Sequence, residues 1–243
     1  MSASEFGAIL AAAGEGSRFG ARKQFLTLLG RPLLTYSLDA FLAVQDIAQM
    51  VLVVAAEDLE ACREIVKAWA VTLEKGSGGG RAPRDARVAV VIGGKRRQDS
   101  VRNGLRALDA AIRYVLVHDA ARPLIRAEDV RNIVLATRKH GAAVLGTPLT
   151  DSVKRVRKGR IVEEIPRGEV WTVQTPQSAA VEALRQAYAE ESEREWTDEA
   201  SALRAAGVAV ALVEGSRENI KITHPGDEAL AELILRAREN QRH

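Results

Sequence analysis

Short apolar runs alternate along this chain with longer segments in which apolar residues recur every three or four positions. The short runs have the length and composition of strands: Ala8 to Ala12, Met50 to Ala55, Val88 to Ile92, Tyr114 to His118 and Ala142 to Leu145. The longer segments have the periodicity of amphipathic helices: Pro32 to Leu42, Leu59 to Ala68, Gln98 to Leu108 and Ala127 to His140. Because strand and helix alternate, the pattern predicts βαβ units and an α/β fold with a doubly wound, mainly parallel, Rossmann-like sheet.

The remainder of the chain departs from this alternation. Asp151 to Glu164 sets a few apolar residues among basic ones, which predicts a β-hairpin that projects from the sheet with Gly159 in its turn. The glycine-rich stretch Lys75 to Arg84 predicts a loop inserted between elements. Beyond the hairpin we expect three helices and one strand, with the helices at Ala179 to Ser192, Asp198 to Ala206 and Pro225 to Arg238 and the strand at Val208 to Val213.

The composition is that of a folded domain with a weakly basic surface. Of 243 residues, 47% are hydrophobic and 28% charged, so we expect a single domain over residues 1–243. A net charge of +3 without a long Lys/Arg block argues against a nucleic-acid-binding arm, and small anionic substrates fit the weakly basic surface equally well. Met1 to Gly7 lacks the character of a signal peptide, and no apolar run reaches the roughly 20 residues of a membrane span. The single Cys62 cannot form an internal disulfide, and its charged neighbours predict a helix surface or edge rather than a reactive pocket. These features predict no membrane partner and a cytoplasmic location.

A glycine-containing loop follows the first predicted strand. Gly14 and Gly16 let the backbone turn and bring successive N–H groups onto phosphate oxygens, and Arg18 and Lys23 add positive charge. Phe19 stands where a dinucleotide fingerprint has its third glycine, and the Gly-Lys-Ser/Thr of a P-loop is absent. Taken alone, the stretch is compatible with a phosphate-binding loop and with an ordinary strand-to-helix turn.

Two further polar segments, Gly93 to Ser100 and His118 to Pro123, also follow predicted strands. In open α/β sheets ligands lie beyond the carboxyl ends of the strands, so we expect both segments to share one crevice with the glycine loop. Asp119 ends a buried strand, where an unpaired carboxylate is costly; we expect Mg²⁺ or an arginine as its partner, with capping of the next turn as the alternative. The basic run Lys95 to Arg97 either guides an anionic ligand or forms a solvated turn.

Six motifs occur in the order seen in one enzyme family. They are Ala12 to Lys23 with Gln24 and Phe25, Asp99-Ser100, His118-Asp119-Ala120-Ala121-Arg122-Pro123, Gln174-Thr175-Pro176-Gln177, Thr197-Asp198-Glu199-Ala200-Ser201 and Asn219-Ile220-Lys221. Over nearly its whole length the chain therefore resembles 2-C-methyl-D-erythritol 4-phosphate cytidylyltransferases of the non-mevalonate isoprenoid pathway. The resemblance implies a nucleotidyltransferase sheet and Mg²⁺-dependent transfer of CMP from CTP to 2-C-methyl-D-erythritol 4-phosphate, giving 4-diphosphocytidyl-2-C-methyl-D-erythritol and pyrophosphate. It also implies a homodimer, in which a hairpin arm of about residues 149–170 crosses the two-fold axis and brings Arg167 to the neighbouring subunit's site.

The same resemblance implies roles for single residues. Arg18, Lys23 and Lys221 would surround the α-phosphate of CTP as catalytic cations, and Asp119 would bind near both the nucleotide and the metal. Other nucleotide contacts would come from Ala12, Ala13, Gly14, Gly16, Gly93, Gly94 and Ser100. The polyol phosphate would meet Arg167, Thr175, Thr197 and Arg122.

Two alternatives remain open from the sequence. A related cytidylyltransferase could act on ribitol 5-phosphate; Ala120-Ala121 and Thr197 to Ser201 favour methylerythritol phosphate. A non-catalytic nucleotide-binding regulator could use the same fold. The joint presence of Arg18, Lys23, Asp119 and Lys221 argues against a regulator, because binding alone does not require cations on both sides of one phosphorus.

Overall fold

The computed structural model describes residues 5–14, 25–76, 88–189 and 194–241. In chain order its strands are β1 Phe6–Ala12, β2 Thr27–Leu28, β3 Arg31–Pro32, β4 Ile47–Val54, β5 Val88–Ile92, β6 Tyr114–Asp119, β7 Ala142–Pro148, β8 Val153–Arg157, β9 Arg160–Ile165, β10 Trp171–Ala180 and β11 Ala211–Glu214. Its α-helices are α1 Leu33–Leu42, α2 Leu59–Gly76, α3 Arg97–Arg106, α4 Ala127–His140, α5 Val181–Ala187, α6 Glu199–Ala205 and α7 Asp227–Asn240.

Seven of the strands form one sheet in the order β11-β7-β10-β6-β1-β4-β5. Strand β1 pairs in parallel with both β4 and β6, β4 pairs in parallel with β5, and β11 with β7. Parallel neighbours need a crossover connection, which is why helices separate these strands along the chain. The predicted doubly wound, mainly parallel sheet is therefore confirmed, and the carboxyl ends of β1, β4, β5 and β6 meet at one edge.

Helices cover both faces of the sheet because successive side chains of a strand point to opposite sides. In β6, Leu116 packs into a layer that includes residues of α1, α2 and α4. Its neighbours Val115 and Val117 pack on the other face with residues of α3, α5 and α6. All three side chains are fully buried, and each contributes about 1.5–3 kcal/mol of hydrophobic free energy. None of the described helices is both long enough and apolar enough to cross a membrane.

The thiol of Cys62 lies on the buried face of α2, which corrects the prediction of a surface position. The charged neighbours in sequence were misleading, because residues adjacent along a helix point about 100° apart. Burial raises the pKa of the Cys62 thiol to about 11. The thiol therefore stays protonated and unreactive near neutral pH.

Strand β10, which runs antiparallel between β6 and β7, was not predicted from the sequence. Its residues Gln174 to Ser178 are polar or proline, so the strand has neither the apolar run nor the alternation by which strands are recognised. Pairing with β7 lapses around Pro176, which has no N–H to donate. The helix predicted from Ala179 was wrong at its start, since Ala179 and Ala180 complete β10 and α5 begins after them.

Several element boundaries also differ from prediction. Helix α2 continues beyond Ala68 because Trp69 and Leu73 extend its apolar face against the core. The predicted loop Lys75 to Arg84 therefore starts inside a helix, and residues 77–87 lie outside the described part of the chain. Strand β11 and helix α7 begin later than predicted, and the short hairpin of β2 and β3 was not predicted.

Strands β8 and β9 form a separate two-stranded antiparallel sheet. Lys158 and Gly159 between them have φ angles of 47° and 75°, the left-handed backbone that a two-residue hairpin turn requires. The predicted hairpin and its turn at Gly159 are confirmed. Its side chains at Val156, Ile161 and Val162 are apolar yet 52–67% exposed.

Candidate functional site

A cavity of about 750 Å³ opens at the edge of the sheet where β1, β4, β5 and β6 end. Its walls come from the loops that follow these strands, the position expected for a ligand of an open α/β sheet. The lining consists of residues 11–14, 55–57, 92–97 and 119–121, together with Leu33, Ser100 and Lys221. The predicted sharing of one crevice by separate polar segments is thus observed.

One wall of the cavity is made of tightly packed backbone. A Cβ atom on Gly93 would come within 2.7 Å of both Ala13 Cβ and Ser100 Oγ, and one on Gly94 within 2.4 Å of Asp99 Cβ. The Gly94 amide donates to Ser100 Oγ at 3.1 Å. Glycine at both positions therefore lets the loop after β5 lie directly on the first turn of α3 and beside the loop after β1.

The opposite part of the cavity carries ion-paired side chains centred on Asp119. Lys221 Nζ lies 2.6 Å from Asp119 Oδ2. Arg97 donates to the other oxygen, Oδ1, from Nε at 3.2 Å and from Nη2 at 3.1 Å. An arginine was expected as one possible partner of Asp119, and the structure provides an arginine and a lysine.

This pairing decides the charge state of the Asp119 carboxyl. Burial by itself would raise its pKa. The charges of Arg97, Lys221 and Arg122, with the hydrogen bond from Lys221, outweigh burial and hold the pKa well below its ordinary value. The cavity therefore presents an ionised carboxylate together with cations.

Arg97 is itself held from behind by a second carboxylate, Glu199. Its Nη1 lies 2.6 Å from Glu199 Oε1 and its Nη2 3.0 Å from Oε2. Tyr188 donates its hydroxyl to Glu199 Oε1 at 3.0 Å. The pairing of Glu199 with Arg97 was not predicted. Glu199 belongs to the motif Thr197 to Ser201, but no sequence pattern connects it to Arg97, which is 102 positions away.

The basic run Lys95 to Arg97 is mostly engaged in ion pairs. Arg96 pairs with Asp99 at 2.9 Å, and Arg97 pairs with Asp119 and Glu199. Only Lys95, which is exposed at the cavity, fits the solvated turn that was one of the two interpretations.

A hydrogen-bonded chain fixes the loop that carries Asp119. The Asp119 amide donates to Thr175 Oγ1 at 3.0 Å, and this hydroxyl lies 3.1 Å from His118 Nδ1. His118 Nε2 is 3.1 Å from the carbonyl oxygen of Arg122, which can only accept. Nε2 therefore carries the hydrogen and Nδ1 accepts from Thr175. Burial lowers the pKa of His118 to about 4, so the ring is neutral near pH 7.

A second set of hydrogen bonds fixes the segment that carries Lys221. Asn219 Nδ2 donates to Gln174 Oε1 at 3.1 Å and to the Thr175 carbonyl at 3.0 Å. The Arg122 guanidinium donates to the Asn219 carbonyl at 2.8 Å. Strand β10 and the loop after β6 thus set the position of Lys221 two residues further on.

The structure brings together eight of the residues predicted for the site. Those lining the cavity are Ala12, Ala13, Gly14, Gly93, Gly94, Ser100, Asp119 and Lys221. Gly16, Arg18 and Lys23 lie outside the described residues.

The four residues predicted to bind the polyol phosphate are not among the described residues that line the cavity. Thr175 and Arg122 serve the hydrogen-bond networks behind the cavity. Thr197 is exposed just before α6, with its hydroxyl 3.4 Å from Ser201 Oγ. Arg167 is exposed at the base of the hairpin arm and donates to the Thr150 carbonyl. Their roles in binding stay predictions.

The donor set at Asp119 is compatible with magnesium. Within the described residues no three His, Cys, Asp or Glu side chains gather into a metal-binding group. Mg²⁺ does not need such a group, because it is commonly held by one or two carboxylates and the phosphates of a substrate. An ionised aspartate on the wall of a cavity lined by cations meets this requirement.

Comparison with known proteins identifies relatives of this chain. The model of the family described as 2-C-methyl-D-erythritol 4-phosphate cytidylyltransferase matches residues 6–237. A protein of that name from Halalkalibacterium halodurans is 35% identical over 241 residues, covering 98% of this chain and 100% of the relative. The crystal structure of 4-diphosphocytidyl-2C-methyl-D-erythritol synthase from Anaerococcus prevotii has a TM-score of 0.80 at 28% identity, with 95% and 98% of the two chains covered. The 2-C-methyl-D-erythritol 4-phosphate cytidylyltransferase structure from Thermus thermophilus has a TM-score of 0.72 at 32% identity, with 94% and 98% covered.

Proposed function

The chain belongs to the 2-C-methyl-D-erythritol 4-phosphate cytidylyltransferase family, and we propose how the residues of its cavity carry out the transfer of a cytidylyl group. The enzyme transfers CMP from CTP to 2-C-methyl-D-erythritol 4-phosphate in isoprenoid biosynthesis. The observation that carries the proposal is the pairing of Asp119 with Lys221 and Arg97 on the wall of the cavity.

The polyol phosphate supplies its own nucleophile. A phosphate monoester has a second pKa of about 6, so it is largely dianionic at neutral pH and needs no general base. One of its oxygens forms a bond to the α-phosphorus of CTP while the bond from that phosphorus to the β-phosphate oxygen breaks, releasing pyrophosphate. The site must therefore neutralise the triphosphate and the charge that develops in an in-line displacement.

Lys221 is the described residue that we assign to the α-phosphate. Its side chain is 44% exposed at the cavity, so it has room to move from Asp119 to a phosphate oxygen. Its backbone is fixed through Asn219, so this movement is confined to the side chain. Arg18 and Lys23, predicted from the glycine loop, would complete the set of cations around the same phosphorus.

Asp119 is the residue that we assign to magnesium. A bound Mg²⁺ would withdraw charge from the phosphates and favour departure of pyrophosphate. The chain contributes an ionised carboxylate whose Oδ1 is already committed to Arg97. Oδ2, which Lys221 contacts, is then the oxygen available to a cation when Lys221 turns to the nucleotide.

The backbone wall is the part of the cavity that we assign to the cytosine. Its members are Ala12, Ala13, Gly93 and Gly94, with the hydroxyl of Ser100. Peptide groups have fixed donors and acceptors, so a rigid wall can distinguish the edge of cytosine from that of other bases. Close packing of Gly93 on Ala13 and Ser100 supports this assignment, because it removes freedom from the wall.

We assign the second substrate to a site shared between two subunits. Exposed Val156, Ile161 and Val162 on the hairpin arm support a homodimer, since such apolar surface is stabilised when another chain covers it. Arg167 then meets the polyol phosphate in the partner's cavity, and Thr175 and Thr197 act from the chain that holds CTP. On this proposal residues 1–243 form one domain whose arm, about residues 149–170, serves dimerisation.

We place the reaction in the cytoplasm. The chain has no internal disulfide that would require an oxidising compartment, because Cys62 is its single cysteine.

The decisive experiment is an assay of pyrophosphate release with CTP and Mg²⁺ against a panel of polyol phosphates. We expect release with 2-C-methyl-D-erythritol 4-phosphate, and much weaker release with ribitol 5-phosphate. Omission of Mg²⁺ should abolish turnover. Preference for ribitol 5-phosphate, or CTP binding without turnover on any acceptor, would contradict the proposal.

A further inference from the structure

Arg97 lies between two carboxylates that come from opposite sides. It gives two hydrogen bonds to Asp119 Oδ1 and one to each oxygen of Glu199. The Arg97 side chain lines the cavity and is 26% exposed, whereas the Glu199 side chain is 1% exposed. One face of the cluster therefore meets the nucleotide site, and the other is closed off from solvent.

Glu199 cannot easily leave this position. Tyr188 donates to its Oε1, and its own backbone begins α6 directly after the capping residue Asp198, whose side chain accepts from the Ser201 amide. Gln177 of β10 accepts from the Ala200 amide at 2.7 Å. Gln177 also donates to Asp198 Oδ2 at 3.3 Å, so the start of α6, which carries Glu199, is attached to β10 by two hydrogen bonds.

The four charges of the cluster balance. Arg97 and Lys221 supply two positive charges, and Asp119 and Glu199 supply two negative ones. Without Glu199 the cavity would gain one net positive charge, located on a guanidinium next to the position that we assign to the triphosphate. A free guanidinium binds phosphate oxygens readily in a bidentate manner.

We propose that Glu199 is a positioning residue for nucleotidyl transfer: it holds Arg97 on Asp119 Oδ1 and keeps this arginine from binding the triphosphate. The inference rests on the proposed function and adds a residue that does not touch either substrate. Lys221 is then the cation of this cluster that turns to the nucleotide, and by turning it releases Oδ2 of Asp119.

The test is the variant Glu199→Gln, which keeps the shape of the side chain and removes its charge. Calorimetric titration with CTP, without metal or acceptor, should give about fivefold tighter binding, because one negative charge near the triphosphate is lost. In the complete reaction kcat should fall about tenfold. Arg97 would then stabilise CTP in its ground state and would no longer hold the Asp119 carboxylate in place. A purely structural role would lower the melting temperature and leave CTP affinity unchanged or weaker.

Glu5→Gln provides the matched control. Glu5 is also a carboxylate paired with arginine, here Arg113 and Arg138, but it is 20% exposed and lies outside the cavity lining. CTP affinity and kcat should equal those of the wild type in this variant. Equal CTP affinity in Glu199→Gln and the wild type would overturn the inference.

A second variant covers the case in which Glu199→Gln does not fold. Glu199→Asp keeps the charge but is too short to hold Arg97 with both oxygens. We expect its kcat to fall while its CTP affinity stays near the wild-type value; an unchanged kcat would contradict the inference. Binding and turnover are separate measurements. A wild type that binds CTP without releasing pyrophosphate would refute the proposed function, and the comparison of CTP affinities would still test the role of Glu199.

Discussion

Asp119 has one carboxylate oxygen bound by Arg97 and the other by Lys221, and its amide is bound by Thr175. These three contacts come from α3, from β10 and from the segment before α7. A single residue therefore joins parts of the chain that are far apart in sequence. Substitutions around Asp119 are expected to act on chemistry more than on nucleotide binding, because the charges are arranged for the displacement at phosphorus.

The first prediction at the residue scale concerns Lys221. Lys221→Ala should lower kcat by about 10²–10³-fold, the usual effect of removing one group that stabilises transition-state charge. CTP affinity, measured by calorimetry, should fall much less, because other cations still bind the triphosphate. Lys67→Ala is the control. Lys67 Nζ lies 3.8 Å from Glu64 Oε1 on the exposed side of α2, so this variant should keep the kcat and CTP affinity of the wild type. Equal losses in affinity and turnover would argue against the assigned role of Lys221.

The second prediction concerns His118 and pH. Burial lowers its pKa to about 4, below the ordinary value of about 6.5. Between these values the unfolded chain takes up a proton that the folded chain does not, so the free energy of unfolding falls as pH drops from about 6.5 to 4. The loss is up to about 3 kcal/mol, and the lowered pKa of Asp119 adds a further loss only below about pH 4. Urea unfolding at stepped pH measures the loss, and NMR titration of His118 measures the pKa. An imidazole that titrates near 6.5 would refute the explanation.

At the scale of secondary-structure elements, β10 and the hairpin arm have different tasks. Strand β10 lies in the middle of the sheet, and its polar side chains Gln174, Thr175 and Gln177 hold other elements in place. The arm stands apart as a separate two-stranded sheet and exposes apolar side chains. One element thus assembles the site within a subunit, and the other is available to a second subunit.

The prediction at this scale is that the arm carries the dimer contact. Val156 and Ile161 are paired across β8 and β9, so they lie side by side on one face of the arm. Ile161→Lys should weaken self-association by more than about tenfold, because a charge would be buried without a partner. Sedimentation equilibrium measures the change. Val71→Lys, at a 44% exposed apolar position of α2, is the control and should leave association unchanged. A monomeric wild type would contradict the dimer itself.

At the scale of the whole molecule, the cavity of one chain lacks the cation that we assign to the polyol phosphate. Arg167 is exposed at the base of the arm and is not among the described residues that line the cavity. Two-fold symmetry would let each arm serve the cavity of the other subunit. On this proposal the active unit would be the dimer, although each chain folds around its own core.

Mixing two defective variants tests this arrangement. Arg167→Ala should raise KM for the polyol phosphate, and Lys221→Ala should lower kcat. If Arg167 acts across the axis, a mixed dimer has one site with both defects and one intact site. After subunit exchange, an equal mixture should regain about a quarter of wild-type activity, since half of the dimers are mixed. No gain over the separate variants would place Arg167 in its own subunit's site or outside the site.

Much of this protein could be predicted from sequence because the relevant information is local. Alternating apolar periodicities predicted the parallel strands, and the residues that follow those strands predicted the cavity, since strand ends of a parallel sheet converge by geometry. The turn at Gly159 was predicted because two consecutive residues with positive φ favour glycine. Family motifs then connected the cavity to CTP.

Other features depended on contacts that no local pattern contains. Strand β10 is polar and was missed because its stability comes from neighbours on both sides rather than from its own composition. The carboxylate of Glu199 meets Arg97 only after β10 and α6 pack, and Cys62 is buried only because α2 turns that face to the sheet. Local sequence determined most of the helices, the parallel strands at the core of the sheet and the residues that end those strands, because periodicity and turn chemistry act over a few residues. Tertiary structure alone decided which charges pair, because ion pairs depend on distances between side chains that the chain brings together from far apart.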